Sequence, residues 1–156
     1  MVGKYILCEG SFMFTSLFSS KNKKLVKGWT KEHEKIVVLA HKIIAAYSGH
    51  DHAAVRKHLL ELNKVAVVHL MTEDIEFYRL LKDHKRTNDE IEKLINEFTR
   101  SFRETKGVLR DFLLKYTAPD AIYDDEFFKT FNVIVEVLAD RIAFEEKNLY
   151  LALSDT

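Results

Sequence analysis

His69 and Glu73 stand at i and i+4, so on a helix their imidazole and carboxylate reach from one face toward a common point. Imidazole nitrogens and carboxylate oxygens suit Fe(II), Zn(II) or Mn(II), and helical bundles build interior sites from such residues on facing helices. The stretch His69-Leu-Met-Thr-Glu73-Asp-Ile-Glu-Phe-Tyr78 is echoed by Arg141-Ile-Ala-Phe-Glu145-Glu-Lys-Asn-Leu-Tyr150, with acid, apolar residue and tyrosine at the same spacing. The two stretches lie 72 residues apart, and the same offset sets Glu32-His33 against Glu104-Thr105. Under a pseudo-two-fold axis, His33, His69 and Glu73 would face Thr105, Arg141 and Glu145, all six pointing inward.

Such a site needs helices to carry it, and the apolar periodicity supplies four. The first runs from Lys21 to Gly49 on Val26, Trp29, Ile36, Val37, Ala40, Ile44 and Tyr47, with Gly49 as its stop. Asp51 caps the second, whose seam is Val55, Leu59, Leu62, Ala66, His69, Glu73, Phe77 and Leu80. A capping box, Thr87 with Glu90, opens a third that continues through Leu94, Phe98, Phe102, Leu109 and Leu113 to Tyr116, before Pro119. Asp124 or Asp125 caps the fourth, striped by Phe127, Phe131, Ile134, Leu138, Ile142, Leu149 and Leu153. Four amphipathic helices joined by short turns predict an all-α, antiparallel up-down-up-down four-helix bundle over residues 21–156. Residues 1–20 lack a helical period and read as an N-terminal arm; its Phe12, Phe14, Leu17 and Phe18 need cover, which a homodimer would provide.

Composition narrows the function. Lys plus Arg equals Asp plus Glu at 24 each, so no net field draws the chain to nucleic acid or acidic lipid. The single cysteine, Cys8, excludes an internal disulfide framework and a cysteine-built zinc site, and fits a reducing compartment. No apolar run reaches the roughly 18 residues that span a bilayer, and Tyr5–Cys8 is too short for a secretory core. A cytoplasmic location without membrane contact is expected. Neither a Gly-rich phosphate loop nor a nucleophile–base order is visible, and Asp124-Asp125 reads as a cap, so no enzymatic activity is expected.

The Glu32-His33 pair, the H-x-x-x-E-D of His69–Asp74 followed by Phe77-Tyr78, and the E-E-x-x-L-Y of Glu145–Tyr150 together resemble the hemerythrin and HHE cation-binding family, over roughly Trp29 to Leu153. That resemblance implies a bundle holding a non-haem di-iron centre, with histidines from all four helices and two bridging carboxylates. The chain departs from the pattern at Thr105 and Arg141, where the second set of histidines would stand. What remains is at most a mononuclear site of His33, His69, Glu73 and Glu145, with Glu146 as the alternative acid. One metal ion, iron first and zinc or manganese next, and a small diatomic ligand such as dioxygen or nitric oxide follow as expectations.

Plainer readings stand beside this one. His69, Glu73, Arg141 and Glu145 are also able to close into a hydrogen-bonded cluster without any ion, although a bundle selected for stability alone would favour leucine there. His33 has charged neighbours that suit a helix surface, against a spacing that suits the interior. His41, His50, His52, His58 and His84 lack a convergent acid, and Tyr78 and Tyr150 read as packing residues with wet hydroxyls. Leu25–Trp29, Phe77-Tyr78 and Leu138–Leu153 are also similar, more weakly, to the regulator-of-sigma-D anti-sigma proteins, which implies a metal-free regulatory interaction bundle as the alternative.

Overall fold

A computed structural model of the chain describes residues 9–82 and 89–154, and no strand occurs among the described residues. Helix α1 covers Glu9–Ser48 and α2 covers His52–Lys82. They are followed by α3 (Asp89–Ser101), α4 (Arg103–Thr117) and α5 (Asp125–Phe144). A single π turn, Glu145–Leu149, then leads into the short α6 (Tyr150–Ser154). The residues form a helical bundle in which α1 packs chiefly on α2.

Several boundaries differ from the periodicity. Helix α1 starts at Glu9, inside the segment read as an arm, because extending a formed helix costs far less than starting one. The rest of that segment, residues 1–8, lies outside the described residues, as do His84 and the capping-box Thr87. The third predicted helix is two: Phe102, at φ −105° and ψ 9°, interrupts it, although Phe102 N–H to Phe98 O and Lys106 N–H to Phe102 O carry the hydrogen-bond run across. Ala118, the residue before Pro119, is extended at ψ 149°, as a following proline requires. Asp124 rather than Asp125 is the cap of α5, accepting from Phe127 N–H at 3.0 Å.

The stop after α1 is built differently from the expected glycine. His50, not Gly49, takes the left-handed conformation, at φ 55°. Asp51 N–H donates to Ala46 O and His50 N–H to Tyr47 O, a Schellman closure with histidine in the position that glycine usually fills. A side chain there costs about 1 kcal/mol. His50→Gly should therefore stabilise the protein by about 1 kcal/mol in urea unfolding.

Two apolar clusters fill the interior. One gathers Ile36, Ile43, Leu59, Leu62, Phe127 and Phe131 among others; the second gathers Trp29, Phe77, Ile95, Phe98, Leu149 and Leu153. Contacts join the helix ends. Tyr47 stacks on Phe128 at the start of α5 while Trp29 stacks on Tyr150 beyond its end. Arg56 reaches Thr117 O at the end of α4, and Asp74, farther along α2, pairs with Lys106 near its start.

Candidate metal centre

Each long helix changes chemistry between the two apolar clusters. On α1, His33 sits between Trp29 and Ile36; on α2, His69 and Glu73 sit between Ala66 and Phe77; on α5 and the π turn, Arg141 and Glu145 sit between Leu138 and Leu149. All five polar residues are buried, with Glu73 and Glu145 wholly so. The ordinary helical repeat therefore delivers one polar layer across an otherwise apolar bundle. Thr105, the sixth position of the sequence echo, is only half-buried.

Within that layer, His33, His69, Glu73 and Glu145 each offer a ligand atom, and these atoms lie within 4.8 Å of one another. The two imidazole Nε2 atoms face each other at 3.0 Å. Glu145 Oε2 is 2.8 Å from His33 Nε2 and 3.9 Å from His69 Nε2, and Glu73 Oε2 is 3.5 Å from His69 Nε2. The far nitrogens are engaged as well. His33 Nδ1 lies 2.8 Å from Glu146 and His69 Nδ1 lies 2.8 Å from Glu32, both half-buried or exposed carboxylates. An ionised carboxylate only accepts, so each Nδ1 carries the proton, and a neutral ring then turns a bare lone pair inward. Metal-bound histidines are held by outer carboxylates in the same way.

Arg141 closes the other side of the layer. Its Nε donates to Glu145 Oε1 at 2.7 Å and its Nη2 to Glu73 Oε2 at 3.1 Å. Nη1 has no hydrogen-bond partner among the described residues, and the guanidinium lies against the Phe98 ring. Both acids thus share one cation, which leaves Glu145 Oε2 turned toward the histidines.

Tyr150 completes the layer, contrary to its reading as a packing residue with a wet hydroxyl. Its hydroxyl is buried, donates to Glu73 Oε1, and lies 3.3 Å from His33 Nε2; the ring stacks on both His33 and Trp29. The cause is the π turn. Tyr150 N–H bonds to Glu145 O, five residues back, and that wider turn brings both side chains inward. Tyr78 has the same spacing from Glu73 but sits on a regular helix, and it is 67% exposed. Tyr150→Phe leaves a buried acceptor unmet and should cost about 1–3 kcal/mol in the metal-free protein. Tyr78→Phe should stay within about 0.5 kcal/mol, measured by the same urea unfolding.

Charge is distributed unevenly over the pair of acids. Burial, with Glu145 alongside, pushes Glu73 up to about 7. Burial acts on Glu145 in the same sense, but the His33 and His69 rings beside it and the Arg141 charge outweigh it and hold this carboxyl well below the usual range. Burial lowers His69, yet Glu145, Glu73 and Glu32 together carry it above its ordinary value. Burial and the two carboxylates raise Tyr150, which keeps its proton.

The model of the hemerythrin HHE cation binding domain matches residues 24–153. The chain belongs to this family. No curated protein and no solved structure matches it. The donor set of this HHE domain fits one cation: two imidazole nitrogens and two carboxylates converge in a buried layer, with outer carboxylates orienting both rings. It does not fit a second ion, because the Arg141 guanidinium already bridges the acids from the opposite side. Glu146, the alternative acid, turns to His33 Nδ1 rather than to the convergence point. His41, His50 and His52 are exposed, and His58 lies 3.5 Å from Glu61, away from the centre. The outer roles of Glu32 and Glu146 went unread in the sequence, where the adjacent Glu32-His33 and Glu145-Glu146 pairs were the available signal.

Proposed function

We propose that this domain binds a single metal ion through His33, His69, Glu73 and Glu145, and that Arg141 takes the electrostatic place of a second ion. One observation carries the reading. Two Nε2 atoms and Glu145 Oε2 crowd one point, while each ring's other nitrogen is committed to a carboxylate. Without an ion, a proton on one imidazole must relieve that crowding; a divalent cation relieves it for all the acceptors together.

Iron is the preferred ion, with zinc and manganese accepting the same donors. Bound iron would supply an open coordination position for a small ligand. A cavity of about 10 Å3, room for about one water, adjoins His33, His69, Arg141 and Glu145 and is closed by Ile36, Ala66, Leu109 and Leu138. Its largely apolar wall suits a neutral ligand, and dioxygen or nitric oxide sensing or binding is the function we assign, in a reducing, cytoplasmic setting. The chain directions set by Tyr47–Phe128, Trp29–Tyr150 and Arg56–Thr117 support an antiparallel up-down-up-down four-helix arrangement, with α3 and α4 as its third rod.

Elemental analysis of untagged protein tests the site. His33→Ala combined with Glu73→Ala should lose the bound metal while keeping the helical circular dichroism signal. Equal metal in the variant and the wild type would remove the proposal.

A further inference from the structure

The outward face of α2 carries an apolar stripe among its charged residues, where a solvated helix face is ordinarily polar throughout. Leu60, Val67, Met71, Ile75 and Tyr78 are all exposed, from 43% for Leu60 to 67% for Tyr78. They follow one another at intervals of seven, four, four and three residues, with Lys64 in the one gap. That spacing keeps them on one stripe, opposite the buried Leu59, Leu62, Ala66 and Phe77. Stripes of this kind mark association surfaces, because isolated exposed apolar residues have no reason to align.

The stripe is nearly palindromic. Counting from position 69, Val67 and Met71 are each two residues away, Lys64 and Asp74 five, and Leu60 and Tyr78 nine, while Ile75, six away, is mirrored by Asn63. We propose that a second copy of this chain docks here, α2 against α2, antiparallel about a two-fold axis at position 69. Leu60 then packs on Tyr78 of the other copy, Val67 on Met71, and Lys64 meets Asp74, each pair occurring twice. Self-complementarity in both size and charge selects a second copy over an unrelated partner, which would need no such symmetry. Asp74 is paired with Lys106 of its own chain yet remains 50% exposed, and a carboxylate has lone pairs enough for a second cation. Beside the stripe, the exposed Val38 and Val68 line a groove between α1 and α2 whose rim is charged, with Lys31, Glu34, Lys35, Lys42 and Glu61. The two valines widen the surface toward the roughly 800 Å2 per subunit that a stable dimer buries.

Sedimentation equilibrium of the full chain across micromolar concentrations tests this, and it is independent of the metal reading. The wild type should be a dimer, and Met71→Lys with Ile75→Lys should be a monomer of unchanged helicity. Lys64→Glu, which sets acid against Asp74, should weaken the dimer on the order of tenfold, and adding Asp74→Lys should recover much of the loss. If the double-lysine variant loses its helical signal, Lys64→Glu decides alone. A monomeric wild type overturns the proposal, including one that instead co-sediments with phosphatidylglycerol vesicles. So does a dimer that survives both sets of changes, which would put the interface elsewhere, such as residues 1–20.

Discussion

Replacing Arg141 with leucine should destabilise the metal-free protein by about 3–5 kcal/mol at pH 8, read as the difference in urea unfolding free energy. The guanidinium is the hydrogen-bonding cation shared by Glu73 and Glu145, both wholly buried. Removing it strands two carboxylates that do not both tolerate ionisation in that layer. One must take a proton, so the folded-state pKa of the acids rises further. Glu73 already stands at about 7 against an ordinary value of 4.5. A carboxyl raised in this way contributes its stability below the unfolded value and loses it as pH climbs through the folded one. The deficit of the variant should therefore be larger at pH 8 than at pH 5. A saturating divalent metal should narrow it, since the ion supplies the charge that the guanidinium no longer does.

Phe127→Ala should cost a similar amount, about 3–5 kcal/mol, for an unrelated reason. Phe127 is fully buried where five rings meet, with Tyr116 and Tyr123 each 5.0 Å away and Tyr47, Phe112 and Phe131 close behind. Truncation removes the burial of a large ring and leaves a cavity that neighbouring helices only partly close. The expected signature separates it from Arg141→Leu. The loss should not depend on pH between 5 and 8, and the metal bound per folded chain should be unchanged, because Phe127 belongs to the apolar cluster away from the polar layer.

The helical bundle was legible because its apolar residues recur with the helical repeat, and the polar layer showed as an interruption of that repeat. His69 and Glu73 broke the α2 seam at i and i+4, and the 72-residue echo then pointed to Glu145 and to Arg141 as the residue where a ligand was missing. Departures from regular α geometry were not legible. A sequence read at 3.6 residues per turn places Tyr150 as it places Tyr78, and only the π turn at Glu145–Leu149 separates their fates. Phe102 and His50 are similar cases: each takes a backbone conformation that tertiary packing or turn closure imposes against the residue's own preference. The partners of Nδ1 on His33 and His69 also escaped, since they arise from carboxylates on facing helices and follow no spacing within one segment.

The stoichiometry of iron bound by untagged protein, after anaerobic loading with ferrous ion and removal of excess, tests the central claim most directly. A single cation held by two histidines and two acids, with a guanidinium in the opposing place, predicts one ion per chain. Two ions per chain, or none above the background of the His33→Ala, Glu73→Ala variant, would contradict it.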